Sequence, residues 1–337
     1  MAKLDAALME LEGAGEAAHR LESLGFDGAI SFEGNHDPFV PLVLAAAHTE
    51  RLELMTAVAI AFARNPMVCA YVANDLQLVS RGRFVLGLGT QIRPHIEKRF
   101  SQPWSKPNAR MREFVQAIRA IWHSWETGER LAHRGEFYTH TLMTPFLSPG
   151  PNPHGPPRIA LAGFGPAMVR VAGEVADRWI VHPLNSTAYV RDIALPALAE
   201  GAARAARPAT AIEISCQTIT MIGSNDAEIA AARDKARGQI AFYGSTPVYR
   251  VVLEHHGWGE LQPELNRLSK EGRWMEMLRL VSDDMLDTFG VSGRPAEAGR
   301  KLRERNRPWA HRTTPVLYNE TDPDAVGDLV RAFKGEG

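Results

Sequence analysis

Short apolar runs rich in β-branched residues alternate along the chain with longer segments in which apolar residues recur every three or four positions, as on one face of a helix. The short runs predict eight strands, at 3–8, 28–33, 52–60, 84–89, 158–162, 178–182, 212–222 and 314–318. They are apolar enough to be buried on both sides, which is typical of a parallel sheet covered by helices. Eight strand–helix units in one chain favour an α/β fold closed into a (β/α)8 TIM barrel over an open sheet.

Two of the segments between the strands carry clear helix signals. Asn65-Pro66 is a typical helix start, and the predicted helix runs from residue 66 to about Val79. The stretch 109–125 places its apolar residues on one face and its charged residues on the other. These patterns supply the helices that a barrel needs between its strands.

Two regions interrupt this alternation. Residues 130–157 contain a predicted hairpin followed by a proline-rich segment, and residues 241–290 contain extra helical segments rich in Trp, His and Met. Because the strand–helix alternation resumes after 130–157 in the same style, we interpret that region as a long loop rather than a domain linker. The sequence therefore predicts a single domain over 1–337 with a loop and hairpin insertion at about 130–157 and a helical insertion at about 241–290.

Composition excludes several classes of protein. With 38 Lys and Arg against 39 Asp and Glu, the chain has no overall attraction to nucleic acid or to an anionic membrane. Its two cysteines, Cys69 and Cys216, exclude a disulfide framework and are expected to be buried. The first twenty residues carry carboxylates where a signal peptide needs an apolar core, and the apolar runs are too short to cross a bilayer. We expect a cytoplasmic protein with neither nucleic acid nor membrane as a partner.

A Gly-x-Gly at Gly87 and Gly89 ends the fourth predicted strand and raises the question of a dinucleotide-binding motif. No third glycine follows, and the next helix is delayed until about residue 107, which is too far for a helix N-terminus to hold a pyrophosphate. The sequence therefore excludes that motif. In a barrel, glycines at this place let a flat ligand lie against the backbone at the floor of the site, with Thr90 and His95 at its rim.

A second glycine motif follows the fifth strand. Gly163, Phe164 and Gly165 precede Pro166, which has the position of the first residue of a helix. Free amides at such a helix start attract an anion, and the helix dipole adds to the attraction. The same pattern also suits a plain glycine-rich turn, and the motif alone leaves both interpretations open.

Other catalytic motifs are missing from the sequence. The spacing of the histidines does not form a closed ligand set for a metal, so no metal site is predicted. These histidines are His133, His140, His154, His255 and His256. There is also no Gly-x-Ser-x-Gly motif for a hydrolase nucleophile.

Four segments resemble a known family when they are taken together and in this order. They are GFDGAISFEGNHDPFVPLVLAAAHTERLELMTAVA at 25–59, SRGRFVLGLGT at 80–90, ARMREFVQAIRAIW at 109–122 and LAGFGPAMVRVAGEVADRWIVHP at 161–183. On these residues the chain resembles the bacterial-luciferase-like superfamily of flavin- and deazaflavin-dependent oxidoreductases, and most closely the branch that uses coenzyme F420. The resemblance implies a luciferase-like TIM barrel that binds F420, or alternatively FMN.

The resemblance also implies where the cofactor would bind. In relatives a bulge in the third strand, often with a non-prolyl cis peptide, supports the central ring; the matching pair is Ala57-Val58, where we expect a strained peptide. An acid–histidine pair after the second strand matches Glu33 and His36. The remaining positions implied for the cofactor are Gly89, Thr90, His95, the phosphate loop Gly163, Phe164, Gly165 and Pro166, and the nearby His182.

Several of these residues have a second interpretation. His36 would contact the ring or move a proton, or else it would tie down its loop through Asp37. Glu33 would bind a ligand or pair with a neighbouring arginine. Four aromatic residues would line a substrate pocket or belong to the core; they are Phe62, Trp104, Phe242 and Tyr243.

Two departures from the family pattern narrow the range of substrate classes that the resemblance implies. Relatives that act on sugar phosphates have a glutamate where this chain has Ile92, and a lysine where it has Leu184 and Asn185. A sugar-phosphate substrate is therefore not implied.

The function predicted from the sequence is hydride transfer between a deazaflavin and a small organic substrate. One alternative is an FMN-dependent monooxygenase that uses reduced flavin and oxygen. An alternative from another class is a flavin-binding protein without catalytic activity. The resemblance also implies a homodimer or a higher homo-oligomer, for which the apolar surface around helix 66–79 is a candidate.

Overall fold

Eight parallel strands close into a barrel in the computed structural model, which describes residues 2–319 and 322–336. Going round the barrel, the order is β1, β2, β3, β5, β8, β9, β10 and β12, and β12 pairs with β1 to close it. Two short strands extend the sheet, since β4 pairs with β5 and β11 with β10, while β6 and β7 form a separate hairpin. The strands are β1 (Lys3–Ala7), β2 (Gly28–Ser31), β3 (Glu53–Thr56), β4 (Ala59–Ile60), β5 (Phe84–Gly89), β6 (His133–Arg134), β7 (Thr139–His140), β8 (Arg158–Ala162), β9 (Arg178–Val181), β10 (Glu213–Ile222), β11 (Gly290–Gly293) and β12 (Arg312–Leu317).

The predicted TIM barrel is confirmed, and each of the eight predicted strands has its counterpart in it. One prediction needs correction. The run 52–60 is not a single strand, because the backbone turns at Ala57-Val58 and separates β3 from β4. The pattern of apolar residues continues through this break, so the sequence pattern alone did not reveal it.

Helices surround the barrel. They are α1 (Ala14–Ser23), α2 (Phe39–His48), α3 (Pro66–Val79), α4 (Arg93–Lys98), α5 (Pro107–Thr127), α6 (Pro166–Val175), α7 (Thr187–Tyr189), α8 (Leu195–Arg204), α9 (Asp226–Ser245), α10 (Arg250–His255), α11 (Leu261–Lys270), α12 (Trp274–Arg279), α13 (Asp283–Phe289), α14 (Pro295–Asn306) and α15 (Pro323–Lys334). A π-helical segment, Val190–Ala194, joins α7 to α8. No helix of the described residues has the length and apolar character needed to cross a membrane.

The start of α3 shows how local chemistry fixes a helix boundary. The Asn65 side chain accepts a hydrogen bond from the Met67 amide at 2.8 Å, and Pro66 occupies the first helical position. The observed bounds, Pro66–Val79, are those predicted from the sequence.

The β6–β7 hairpin is held against α5 by one carboxylate. Glu113 of α5 accepts hydrogen bonds from the amides of Glu136, Phe137 and Tyr138 at 2.8, 2.8 and 2.6 Å. The proline-rich segment after the hairpin lies on α3, where the Tyr71 hydroxyl donates to the Leu147 carbonyl at 2.6 Å.

The interior of the barrel is apolar at mid-height and charged at its amino-terminal end. Five buried side chains fill the middle: Ile30, Met55, Val85, Ala160 and Ile180. Below them, three carboxylates and three guanidinium groups form the lower ion network, made of Asp5, Glu53, Glu213, Arg158, Arg178 and Arg312. This network closes the end of the barrel opposite to the carboxyl ends of the strands.

The lower ion network is tightly paired. Arg312 Nε donates to Asp5 Oδ2 at 2.8 Å, and both side chains are almost fully buried. Arg178 Nη2 contacts Glu53 Oε1 at 2.7 Å and Glu213 Oε2 at 2.5 Å. Burial acts to raise the pKa of Glu53, but the guanidinium groups around it lower that pKa to about 2. Glu53 is therefore ionised in the folded protein.

Candidate active site

Strand alternation decides which side chains face the mouth of the barrel, at the carboxyl ends of the strands. Along β3 the inward positions are Glu53, Met55 and Ala57, and along β9 they are Arg178, Ile180 and His182. The lower positions thus belong to the ion network, the middle ones to the apolar filling and the last ones to the mouth. Ala57, which is small and apolar, forms part of the floor of the mouth.

A bulge between β3 and β4 forms part of this floor. The Ala57–Val58 peptide bond is cis, at the pair that the family resemblance singled out. The Ala57 amide donates to the Ser31 carbonyl at 2.7 Å, and the Glu33 amide donates to the Val58 carbonyl at 3.1 Å. The bulge is therefore tied to the end of β2 on both of its sides.

The Gly-x-Gly of β5 is explained by this bulge. A Cβ on Gly87 would overlap the Thr56 carbonyl oxygen, and a Cβ on Gly89 would lie 2.7 Å from Val58 Cγ2. Both glycines thus allow β5 to pass close to the bulge. This contact accounts for the motif without any phosphate.

Glu33 takes part in an ion pair that spans the bulge. Its Oε2 accepts a hydrogen bond from the Ile60 amide at 2.8 Å and pairs with Arg64 Nη1, and the Glu33 side chain is only 9% exposed. Arg64 Nη2 in turn pairs with Asp37 Oδ2 at 2.8 Å. This geometry corresponds to the ion-pair interpretation of Glu33 rather than to a free catalytic carboxylate. Arg64 was missed from the sequence, although it is the first charged residue after the apolar run that carries the bulge.

His36 stands on the exposed rim of the mouth. Its side chain makes no hydrogen bond or ion pair to any other described residue. Asp37 does not tie it down, because the Asp37 carboxylate accepts from the Phe39 amide at 2.9 Å and pairs with Arg64. The imidazole of His36 is therefore available to a ligand.

The loop after β5 brings His95 to the same rim. His95 lies exposed in α4, and Arg99, one turn further on, donates from Nη2 to the Gly34 carbonyl at 2.8 Å. This contact joins α4 to the loop that carries His36. Thr90 is half-buried, and its hydroxyl donates to the Gln91 carbonyl at 2.9 Å.

The second glycine motif forms an open helix start. The Gly163 carbonyl accepts from Trp179 Nε1 at 2.9 Å, and the Phe164 carbonyl accepts from the Tyr189 hydroxyl at 3.0 Å. Gly165 precedes Pro166, the first residue of α6, and, apart from Gly165 and its two chain neighbours, no described residue has an atom within 4 Å of the place that a Gly165 Cβ would occupy.

The amides at this helix start are free. Neither the Gly165 nor the Ala167 N–H donates to an acceptor among the described residues. Gly165 has φ −74°, which any residue can adopt, so neither packing nor backbone conformation requires a glycine there. The motif leaves an empty space in front of two unpaired amides, which suits an anion.

His182 is enclosed by aromatic rings beside this loop. It stacks on Tyr249 with centroids 4.5 Å apart and meets Tyr243 edge-on at 4.6 Å and Phe164 at 5.5 Å. Its Nδ1 accepts from the Leu184 amide at 3.1 Å, which assigns the ring proton to Nε2. Burial lowers the pKa of His182 to about 3. His182 is therefore a neutral hydrogen-bond donor at physiological pH.

The four aromatic residues proposed for the pocket divide between mouth and core. Phe62 has no exposed surface, because the turn after β4 places it under the Arg110 guanidinium at 4.3 Å and against the Trp104 ring at 5.6 Å. Phe62 thus belongs to the core, and half-buried Trp104 covers it. Tyr243 contacts His182 at the mouth, and Phe242 next to it is half exposed.

The remaining chemically active side chains form no cluster that could hold a metal. Within 2–319 and 322–336, no group of three or more His, Cys, Asp or Glu side chains has that geometry. His256 Nε2 lies 2.7 Å from the Ser186 hydroxyl, and His255 pairs with Asp192 at 3.4 Å. Burial raises the pKa of the Cys69 thiol to about 12, so that thiol is not reactive.

An eight-stranded barrel with its open site at the carboxyl ends of the strands is the architecture of a TIM-barrel enzyme. The model of the luciferase-like monooxygenase family matches residues 2–312, so the chain belongs to that family, and it is an oxidoreductase of the luciferase-like type. An uncharacterized protein of Mycobacterium tuberculosis is 53% identical over 316 residues, which cover 94% of this chain and 93% of that protein.

Two solved structures show the same fold. The coenzyme F420-dependent tetrahydromethanopterin reductase from Methanopyrus kandleri superposes with a TM-score of 0.79 at 18% identity, covering 98% of this chain and 97% of that one. The oxygenating constituent of 3,6-diketocamphane monooxygenase from Pseudomonas putida, in complex with FMN, superposes with a TM-score of 0.68 at 15% identity and covers 100% and 98%. An F420-dependent reductase and an FMN-bound monooxygenase thus share the fold of this chain.

Proposed function

We propose that this protein transfers a hydride between coenzyme F420 and a small organic substrate. The observation that carries this proposal is the open start of α6 at the rim of the barrel mouth, where Gly165 leaves space in front of two amides that have no acceptor among the described residues. A cofactor with a flat ring and an anionic tail needs these two features side by side. F420 is favoured over FMN by the four segments that resemble the F420-dependent branch of the family.

The residues present fit such a cofactor. The amides of Gly165 and Ala167, with the α6 dipole behind them, would hold a phosphate. The bulge at Ala57-Val58 and the Gly89 backbone beside it would support the ring on an apolar surface. A bound deazaflavin supplies hydride chemistry, since the carbon that replaces a flavin nitrogen disfavours reaction with oxygen.

The chain itself would position the reactants and exclude water. Glu33 and Arg64 hold the bulge to the end of β2 and so fix the height of the floor. His36, which has no hydrogen bond to another described residue, would give a proton to the substrate oxygen or take one from it while the hydride is transferred at the neighbouring carbon. Tyr243 and Tyr249 shield His182 and close one side of the mouth against solvent.

An FMN-dependent monooxygenase is the second candidate, because the fold is shared with an FMN-bound monooxygenase. Fluorescence titration of the purified protein with oxidised F420 and, separately, with FMN tests both. We expect F420 to bind more tightly than FMN, which would justify screening substrates against reduced F420. Tighter binding of FMN would instead favour the oxygen-dependent monooxygenase. If the protein bound neither F420 nor FMN, both candidate functions would be contradicted.

We also propose that the chain forms a homodimer or a higher homo-oligomer through the outer faces of α2 and α3. Helix α2 buries Phe39 and Leu42 against the barrel, yet its outer face is apolar as well. Such a helix is typical of an element covered on both sides. The outer face carries exposed apolar side chains at Val40, Val43 and Leu44 of α2 and at Val68 of α3, with exposures between 38% and 60%.

Val43→Glu places a charge in this face, and we expect it to convert the oligomer to monomers, as measured by light scattering after size-exclusion chromatography. Met275→Glu on α12 is the matched control, because Met275 is 71% exposed and lies outside α2 and α3. A wild-type protein that elutes as a monomer would contradict the proposal.

A further inference from the structure

The last barrel strand presents polar side chains to the interior from bottom to top. Arg312 belongs to the lower ion network, while Thr313 accepts from Asn306 of the outer helix α14 at 3.1 Å. Since neighbouring side chains alternate, the polar Arg312, Thr314 and Tyr318 and the apolar Val316 face inward, and Tyr318 follows the strand directly at the mouth.

The Tyr318 hydroxyl is buried and has no hydrogen-bond partner among the described residues, and the Thr314 hydroxyl below it is in the same state. A buried polar atom without a partner is costly, and such atoms are rare in native proteins. Of these two hydroxyls, only that of Tyr318 lies at the mouth, where another group can complete it. The position of Tyr318 at the mouth places that group in the candidate active site.

The surroundings of Tyr318 are neutral and aromatic. Burial, and then the proximity of Tyr243, raise the pKa of Tyr318, so its hydroxyl keeps its proton. Tyr243 also contacts His182, whose Nε2–H donates to no acceptor in the described chain. These two donors therefore flank Tyr243 on the same side of the mouth. A neutral acceptor oxygen with an apolar body fits such surroundings.

We propose that the Tyr318 hydroxyl donates a hydrogen bond to the carbonyl oxygen of a neutral ligand in the barrel mouth and so positions that ligand. This inference rests on the proposed function, which places a cofactor and a substrate in the mouth. Two ligands could present the carbonyl: the ring of the cofactor, since F420 and FMN both carry ring carbonyls, or a carbonyl substrate. Tyr318 is then a positioning residue for one of them.

Tyr318→Phe tests the proposal because it removes only the hydroxyl. The first arm measures the dissociation constants of oxidised F420 and FMN by fluorescence. The second arm measures the shift in Tm that cyclohexanone, a neutral ketone, produces in the apoprotein and in the cofactor-saturated protein. Loss of one neutral hydrogen bond weakens binding by about 2- to 12-fold. If the variant binds the cofactor more weakly, the ring carbonyl of the cofactor is the acceptor. If cofactor binding is unchanged and cyclohexanone shifts Tm less, the carbonyl of the substrate is the acceptor.

Tyr71→Phe is the matched control. The Tyr71 hydroxyl donates to the Leu147 carbonyl far from the mouth, so its removal should lower Tm and leave binding unchanged. Tyr318→Phe should keep or raise Tm, since the hydroxyl has no hydrogen bond to a described residue that could be lost. A fall in Tm like that of Tyr71→Phe, or unchanged binding of F420, FMN and cyclohexanone alike, would overturn the proposal, and a buried water would then account for the hydroxyl.

The two proposals can fail separately. If the wild-type protein binds neither cofactor, the proposed function fails, while the ketone arm on the apoprotein still decides about Tyr318. If a cofactor binds and Tyr318→Phe changes nothing, only the role of Tyr318 falls. If the wild-type protein binds neither cofactor and cyclohexanone does not shift its Tm, both the proposed function and the role of Tyr318 are wrong.

Discussion

Gly165→Asp is expected to weaken cofactor binding by about 100-fold or more, because a carboxylate would stand where the phosphate of the cofactor is proposed to bind. The space in front of α6 is empty only because residue 165 has no side chain. Two like charges about 4 Å apart at a protein surface repel each other by up to about 4 kcal/mol, and each 1.4 kcal/mol is about tenfold in affinity. The new carboxylate would also accept from the Ala167 amide, and the loss of that free amide adds to this effect.

The same substitution should leave the fold intact. Gly165 is the N-cap of α6, its φ of −74° suits any residue, and aspartate is among the preferred N-cap residues. We therefore expect an unchanged or slightly higher Tm together with the loss of binding, measured by fluorescence titration with F420 and FMN. If the substitution disrupted the structure as a whole, both Tm and the affinity for the cofactor would fall.

Two further variants make the result specific. Gly165→Asn has the same size and capping ability without the charge, and it should weaken binding much less. Gly163→Ala brings a Cβ to 3.1 Å from the backbone of Met168 and Val169, and it should lower Tm. If Gly165→Asp binds the cofactor as well as the wild type does, the phosphate does not lie at this helix start.

Arg312→Met should lower the free energy of unfolding by about 3–5 kcal/mol, because it leaves Asp5 buried without its partner. Asp5 and Arg312 are each almost fully buried, and Arg312 Nε donates to Asp5 Oδ2 at 2.8 Å. The measurement is urea denaturation at pH 7. The double variant Asp5→Asn, Arg312→Met should recover part of the loss, since the amide removes the uncompensated charge.

Arg158→Met provides the control within the same network. Arg158 pairs with Glu53 and Glu213, but its side chain is half exposed, so its loss should cost about 1 kcal/mol or less. If Arg158→Met and Arg312→Met lowered the free energy of unfolding equally, burial of the ion pair would not be the cause of the larger loss expected for Arg312→Met.

The lower ion network should also make stability depend on pH. Because the pKa of Glu53 is about 2 in the folded protein and near 4.5 in the unfolded chain, the folded state binds fewer protons between these values. The stabilisation from Glu53 is therefore fully present above pH 4.5 and is lost as the pH falls towards 2. Glu53→Gln should lack this part of the acid dependence, which urea denaturation between pH 3 and 7 would reveal.

The sequence by itself determined the elements of this protein. The eight strands and the bounds of α3 follow from signals within a few residues of each other, namely apolar runs and the Asn65-Pro66 helix start. The closed barrel follows from the number of strand–helix units. The family resemblance added the position of the bulge at Ala57-Val58 and the loop at Gly165, which local patterns left open.

The tertiary structure alone decided how these elements meet. Asp5 and Arg312 are 307 residues apart in sequence, and Glu33 and Arg64 are 31 apart, so neither pairing could be derived from spacing. Tyr318 could not be singled out from the sequence, because many strands end in a tyrosine. Only the structure shows that its buried hydroxyl has no hydrogen-bond partner within the described residues. Local patterns encode elements, whereas burial and pairing depend on distances that only the closed barrel sets.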